Sequence, residues 1–189
     1  MKQLSLLLLA GLGLLAAGCK LDNITPPGSQ LTGRLTYQNQ TLNVRGQDAI
    51  QLELWQRGEA FFNKIPVYVK QDGTYNATLF DGNYKMTRRR NNGPWQDLTD
   101  SIDVQVRGNT VIDVPMQPHF TIGTTTITKS GTNLVASCQV TKTGTLNIES
   151  ATLYLSTTQF SDMFNQFANV SKNAADLTNL SQPVSLTLP

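Results

Sequence analysis

The sequence predicts an all-β protein, two tandem antiparallel β-sandwiches behind an N-terminal export signal. Three observations carry that prediction. Apolar and polar residues alternate with period two through most of the chain after about residue 29. Gly, Asn and Asp pairs punctuate the alternation at short intervals, as turns between short strands require. The start of the chain has a different composition altogether, a short basic end followed by a greasy run that stops at "LLAAGCKLDN".

The first segment reads as a secretory signal. Met1 and Lys2 give the basic end, Leu4 to Leu15 the apolar stretch, and Ala16, Ala17 and Gly18 the small residues of a cleavage site. The apolar stretch is shorter than the ~18 residues of a spanning helix, so it is read as a signal rather than an anchor. "LAAGC" resembles the lipobox of bacterial lipoproteins, although Ala16 stands where Leu is usual. The resemblance implies cleavage after Gly18, acylation of Cys19 and attachment to a membrane through several acyl chains, which hold where a single chain would not. "CKLDN" is similar to the Lys-plus-acidic export mark of Bacteroidota surface lipoproteins, which implies the outer membrane, facing the cell exterior. The plan is therefore a signal peptide over 1–18 and an acylated tether over 19–30. In that tether Pro26-Pro27 stiffens the chain and Gly28-Ser29 frees it.

Residues 31–115 carry seven strand candidates: "QLTGRLTYQ", "IQLELWQ", "PVYVKQ", "TYNATLF", "NYKMTRR", "DSIDVQV" and "TVIDVPM". In "IQLELWQ", Ile50, Leu52 and Leu54 share one face, Gln51, Glu53 and Trp55 the other. Such clean alternation predicts antiparallel sheets buried on one side, and so many strands in so few residues predict a sandwich. Asp72-Gly73 predicts a type I′ hairpin turn. Leu79-x-Asp81-Gly82-x-Tyr84 has the form of a tyrosine corner, which gives Tyr84 a structural role.

Residues 116–189 form the second unit, with Pro115 and Pro118 at the join. "NLVASCQV" and "SATLYLST" alternate as strands, and parity places Leu134, Ala136, Cys138 and Val140 on the buried face. Phe160, Met163, Phe164 and Phe167 fall at helical spacing behind Ser161, a candidate N-cap, which predicts an amphipathic turn packed as core. "NVSKNAADLTNLSQ" reads as a polar loop. Only about five strand-like or helical segments follow Phe120, short of the roughly seven strands of a complete sandwich. The expectation is an incomplete immunoglobulin/fibronectin-III-like domain, truncated at the C-terminus and lacking a final hairpin that would pair with the strand carrying Leu153 and Leu155.

Composition narrows the function. The formal charge is +2, and loss of Lys2 with the signal lowers it by one, so no global field recruits nucleic acid. Two cysteines are present. With Cys19 acylated, Cys138 has no disulfide partner. One histidine, His119, lies in the linker, no ligand cluster suggests a metal, and no G-x-S-x-G suggests a hydrolase. The expectation is no enzyme, no cofactor and no metal. "RRRNNGPWQD" offers the better binding signal. Trp95 in a Pro-Gly loop supplies a flat face for a sugar ring, with Arg89 and Asn92 beside it to bond hydroxyls. Trp55, on the polar face of its strand, is a second candidate. The alternative for Trp95 is that it folds back onto its own sandwich.

"GSQLTGRLTYQ", "DGTYNATLFDGNYK", "GPW", "VRGNTVIDVPMQPHF" and "FTI", in that order, resemble a family of two-domain Bacteroidota lipoproteins, domain of unknown function 3823. The resemblance implies a transthyretin-like or carboxypeptidase-regulatory-like first sandwich and an immunoglobulin-like second. It also implies an accessory role beside SusC/SusD-type polysaccharide utilisation systems, as a glycan binder or as a docking subunit that never touches sugar. It supplies no catalytic residue.

Overall fold

In the computed structural model, residues 25–46, 49–56 and 63–189 are described. The signal, Cys19 and most of the tether lie outside them. Among the described residues the regular structure is all strand apart from one 3₁₀ turn, Ala174–Asp176. No helix there is long and apolar enough to cross a membrane.

The first domain is two sheets face to face. One is built around β1 (Ser29–Tyr37), whose first half lies between β5 (Thr74–Leu79) and β8 (Asn109–Val111). Its second half pairs with β2 (Gln40–Thr41) and β9 (Val114–Pro115). The other sheet runs β4-β3-β6-β7, all antiparallel, from β4 (Lys64–Tyr68), β3 (Gln51–Gln56), β6 (Gly82–Arg88) and β7 (Ile102–Val106). Period two puts Leu52, Leu54, Tyr84, Met86, Val104 and Val106 on the inner face, where all are buried against Leu31, Leu35 and Tyr75. Pro66 is accommodated because β4 is an edge strand.

Two local expectations change. "TVIDVPM" is not one antiparallel strand but β8 and β9, both parallel to β1. The chain crosses from β7 to the other sheet through Gly108, whose φ is +56°, and so enters beside β1 in the same direction. Between β8 and β9 the Ile112 carbonyl leans over Gly33 and accepts the Tyr75 hydroxyl. The Asp72 turn is not type I′: only Gly73 is left-handed (φ +78°), with Gly73 N–H donating to Lys70 O and Lys70 N–H to Thr74 O, a three-residue loop. The two-residue turn with both centres at positive φ is Gln38-Asn39 (50° and 64°), joining β1 to β2. The tyrosine corner is present, the Tyr84 hydroxyl donating to Phe80 O at 3.0 Å.

The second domain packs a three-stranded sheet, β10-β11-β14, on a two-stranded one, β12-β13. The strands are β10 (Phe120–Ser130), β11 (Asn133–Lys142), β12 (Ser150–Leu155), β13 (Ala168–Asn173) and β14 (Val184–Leu188). The "NVSKN" segment read as loop is therefore largely strand; its alternation of half-buried Ala168, Val170 and Lys172 is masked by polar neighbours. Register confirms that Leu134, Ala136, Cys138 and Val140 share the inner face with Val184, Leu186 and Leu188. Ala136, Val140 and the three β14 residues are buried, while Cys138 is half-buried and its thiol pKa is pushed up by burial. Ile122 and Ile127 pair with Val140 and Ala136 on that same face, yet are 70% and 58% exposed. The cover is uneven because β12 and β13 lie across β14.

Among the described residues two contacts join the domains. At the linker, Thr143 and Gly144 N–H groups both donate to His119 O, and Gln117 Nε2 donates to Thr143 O. The second contact borders the candidate site.

Candidate functional site

Trp95 is 7% exposed and belongs to the first core. This corrects the sequence candidate, for a clear local reason. Gly93 has φ +129°, and a Cβ there would fall 2.3 Å from the indole, so only glycine lets the chain fold the ring inward. Trp95 and Pro118 form a bridge, and His119 N–H donates to Pro94 O at 3.0 Å, so the loop braces the linker. Asn92 is committed as well: its Oδ1 accepts Gln51 N–H at 2.7 Å and its Nδ2 donates to Ala49 O at 2.7 Å. Arg89 is exposed and donates to Gln51 Oε1 at 2.6 Å. Arg88 is buried, donating to Pro115 O at 2.9 Å and to Asp100 at 3.0 Å. Its parity with Tyr84 and Met86 was the available signal. Trp55 is half-buried on the outer face of its sheet, between Lys64 and Lys85 in register, with Nε1 donating to Thr87 at 2.9 Å. The structure does not bring the four candidates into one pocket.

What it does bring together lies elsewhere. A cleft of about 1080 Å³ runs along the neighbouring edges of β4 and β5 and is walled at one end by the loop 156–167 of the second domain. Tyr68 (43% exposed) and Phe160 (46%) are its aromatic groups. Asn43, Gln71, Asn76 and Gln159 supply amides and Thr78 a hydroxyl, over an apolar floor that includes Val67 and Val69. This chemistry suits sugar rings: flat apolar faces for stacking and neutral groups that both donate and accept. Lys70 and Asp72 are the charged lining residues. Asp72 accepts the Thr74 hydroxyl at 2.7 Å and its N–H at 3.0 Å. Those bonds hold its carboxyl below the usual range, which keeps it ionised and tied to the turn. Among the described residues no group of three or more His, Cys, Asp or Glu could hold a metal.

The loop that supplies Phe160 overturns the helical expectation. Residues 156–167 make bends, and Met163, Phe164 and Phe167 are exposed instead of packed as core. Asp162, not Ser161, organises the turn, its Oδ1 accepting Phe164 N–H (2.8 Å) and Asn165 N–H (2.9 Å). Its Oδ2 pairs with Arg45 of the first domain at 2.8 Å, and the Arg45 guanidinium lies 4.5 Å from the Phe164 ring centroid. Phe160 in turn packs on Gly46, where a Cβ would meet the ring at 3.3 Å. The clasp therefore fixes the position of one cleft wall. The Asp162 carboxyl is held below its usual pKa of 3.8, first by the Phe164 N–H, then by Asn165 and Arg45. A depressed carboxylate stabilises the fold above the unfolded pKa and loses that contribution as the pH falls through the folded one. The clasp is thus expected to hold at neutral pH and to loosen in acid below the normal Asp range. Tyrosine fluorescence anisotropy would not isolate it, but ¹⁵N relaxation of residues 156–167 at descending pH would, with Asp162→Asn already loose at neutral pH.

The fold and cleft define a class: a two-domain protein of tandem β-sandwiches with a cleft along one edge of the first, closed by a loop of the second. Within that class the chain belongs to the DUF3823 family. The family's N-terminal domain, described as a protein of unknown function, matches residues 29–117, and its C-terminal domain matches residues 120–189. A DUF3823 family protein from Parabacteroides merdae is similar at 35% identity over 85% of this chain and 79% of its own, with TM-score 0.76. One from Bacteroides ovatus is similar at 32% identity over 85% and 81%, with TM-score 0.77. A third structure, from Bacteroides uniformis, shares the fold at 13% identity over 86% and 80%, with TM-score 0.68. No curated protein matches the chain.

Proposed function

We propose that this chain is a non-catalytic glycan-binding lipoprotein, anchored through Cys19 to the outer membrane with its folded domains facing the cell exterior, and an accessory of a SusC/SusD-type polysaccharide-utilisation system. The observation that carries the binding is the cleft, where Tyr68 and Phe160 stand among four side-chain amides. Its one described carboxylate is a turn residue, whereas glycoside hydrolysis calls for two facing carboxyl groups. The placement suits capture. The tether enters at Ser29, and β1 runs from there toward Tyr37, its Arg34 paired with Thr74 close to Gln71, which with Phe160 meets Gly46, so the Phe160 end of the cleft lies toward the far end of β1 from the tether. The Bacteroides uniformis structure is described as a candidate carbohydrate binding protein, which is in keeping with this reading. In affinity electrophoresis against a panel of plant, host and microbial polysaccharides, the mature chain is expected to be retarded by at least one. Phe160→Ala should weaken that retardation about tenfold, near 1.4 kcal/mol. No retardation across the panel would count against the proposal.

Anchorage has its own test. Cys19→Ser is expected to abolish membrane fractionation, leaving the protein soluble or with its signal uncleaved. Unchanged fractionation would remove the lipid anchor from the proposal.

A second reading rests on Met163 (57% exposed) and Phe167 (79%), apolar side chains that the cleft does not use. They fit a docking subunit that meets the uptake complex through protein alone. That reading predicts co-purification with an outer-membrane transporter in detergent, lost on Phe167→Asp, with no glycan affinity.

A further inference from the structure

Resting on the glycan-binding reading, we propose that the cleft takes an internal stretch of a neutral, extended polysaccharide rather than a chain end or an acidic glycan. Three features lead there. The first is shape. Consecutive residues Ile65 to Lys70 line one side, which at a strand rise of ~3.3 Å makes a trough of about 20 Å, room for several rings in line. The volume of about 1080 Å³ also stands at the top of the range of roughly 300–1,000 Å³ that a drug-sized ligand fills. Tyr68 lies within the length of the trough and Phe160 on the wall from the other domain, so stacking comes from two separate points along a chain.

The second is charge. Lys70 and Asp72 are the charged lining groups, of opposite sign, and Asp72 is already ionised and bonded to Thr74. The nearby Arg45 and Asp162 neutralise each other. Among the described residues the trough therefore holds no unpaired cation cluster to select a uronate or sulfate, while Asn43, Asn76, Gln71 and Gln159 suit hydroxyls.

The third separates a sugar chain from an extended peptide. Among the described residues β4 and β5 each carry a strand on one edge only, which is the geometry of strand addition. Pro66 removes a donor from the middle of β4, however, and Lys70 follows its end, devices that discourage backbone pairing. What remains attractive along the trough is side-chain stacking and amide bonding.

The test is titration calorimetry of the mature chain with cello-, xylo-, manno- and malto-oligosaccharides of increasing length, with polygalacturonate as the acidic chain and a library of extended peptides. One neutral series is expected to bind, with affinity rising about tenfold or more from disaccharide to hexasaccharide. The affinity should change less than about twofold between low and high salt, because no ion pairs are screened. Tyr68→Ala and Asn76→Ala, both at exposed positions, should each weaken the longer oligosaccharides more than the disaccharide, with circular dichroism unchanged. Full affinity already at the disaccharide, or binding of polygalacturonate alone with steep salt dependence, would overturn this inference while leaving a glycan-binding cleft intact. Absence of any glycan binding would remove both, and capture of peptides in the trough would replace the glycan with a protein strand.

Discussion

Trp95→Ala is expected to lower the unfolding free energy of the first domain by roughly 3–5 kcal/mol, the usual cost of emptying a large aromatic site in a packed core. The indole is 7% exposed and belongs to the first domain's core, while the Trp95 backbone forms a β-bridge with Pro118 at the linker. The substitution keeps the backbone bonds that brace the join, His119 N–H to Pro94 O among them, so the main loss is expected in the first domain's core. Denaturant unfolding followed by fluorescence of the remaining Trp55 reads the first effect. Because the protein has two domains, each transition should be fitted separately. A change below about 1 kcal/mol, with glycan binding abolished, would instead restore Trp95 as a stacking platform.

Gly33→Ala should be comparably damaging for an unrelated reason. Its Cβ would stand 1.8 Å from the Ile112 carbonyl oxygen and 2.8 Å from the Tyr75 hydroxyl. The nearer neighbour is backbone in the chain between β8 and β9, so a rotamer change cannot relieve the clash. β1 would have to separate from its parallel partners, breaking the Ile112 N–H to Thr32 O bond of 2.9 Å and the Tyr75 hydroxyl bond to Ile112. A loss of about 3 kcal/mol or more is expected, beyond ordinary overpacking. Hydrogen exchange should show it first at Ile112 and Thr32, with the β4-β3-β6-β7 sheet less affected.

The strands were legible because the first domain buries one face of each sheet, so that alternation in "IQLELWQ" and "DSIDVQV" writes the core directly into sequence. Tyr84 was legible because its corner is a local motif. The parallel placement of β8 and β9 was not, since period two is blind to strand direction. Nor was the burial of Trp95, where Gly93 decides the outcome and nothing in "NNGPWQD" says which way the ring turns. The Phe160 loop misled for the opposite reason. Helical spacing was present, but Asp162 accepts two backbone N–H groups and is held by Arg45, more than a hundred residues earlier in the chain. The cleft itself depends on that long-range pair and on two strand edges meeting. No short stretch of sequence carries it.

Amide hydrogen exchange with and without a binding polysaccharide reads glycan capture by the β4–β5 cleft residue by residue. The prediction is protection confined to the edges of β4 and β5, to residues 43–46 and to the 156–167 loop. Protection centred on residues 88–97 or on the outer face around Trp55, with the β4 and β5 edges unchanged, would contradict it.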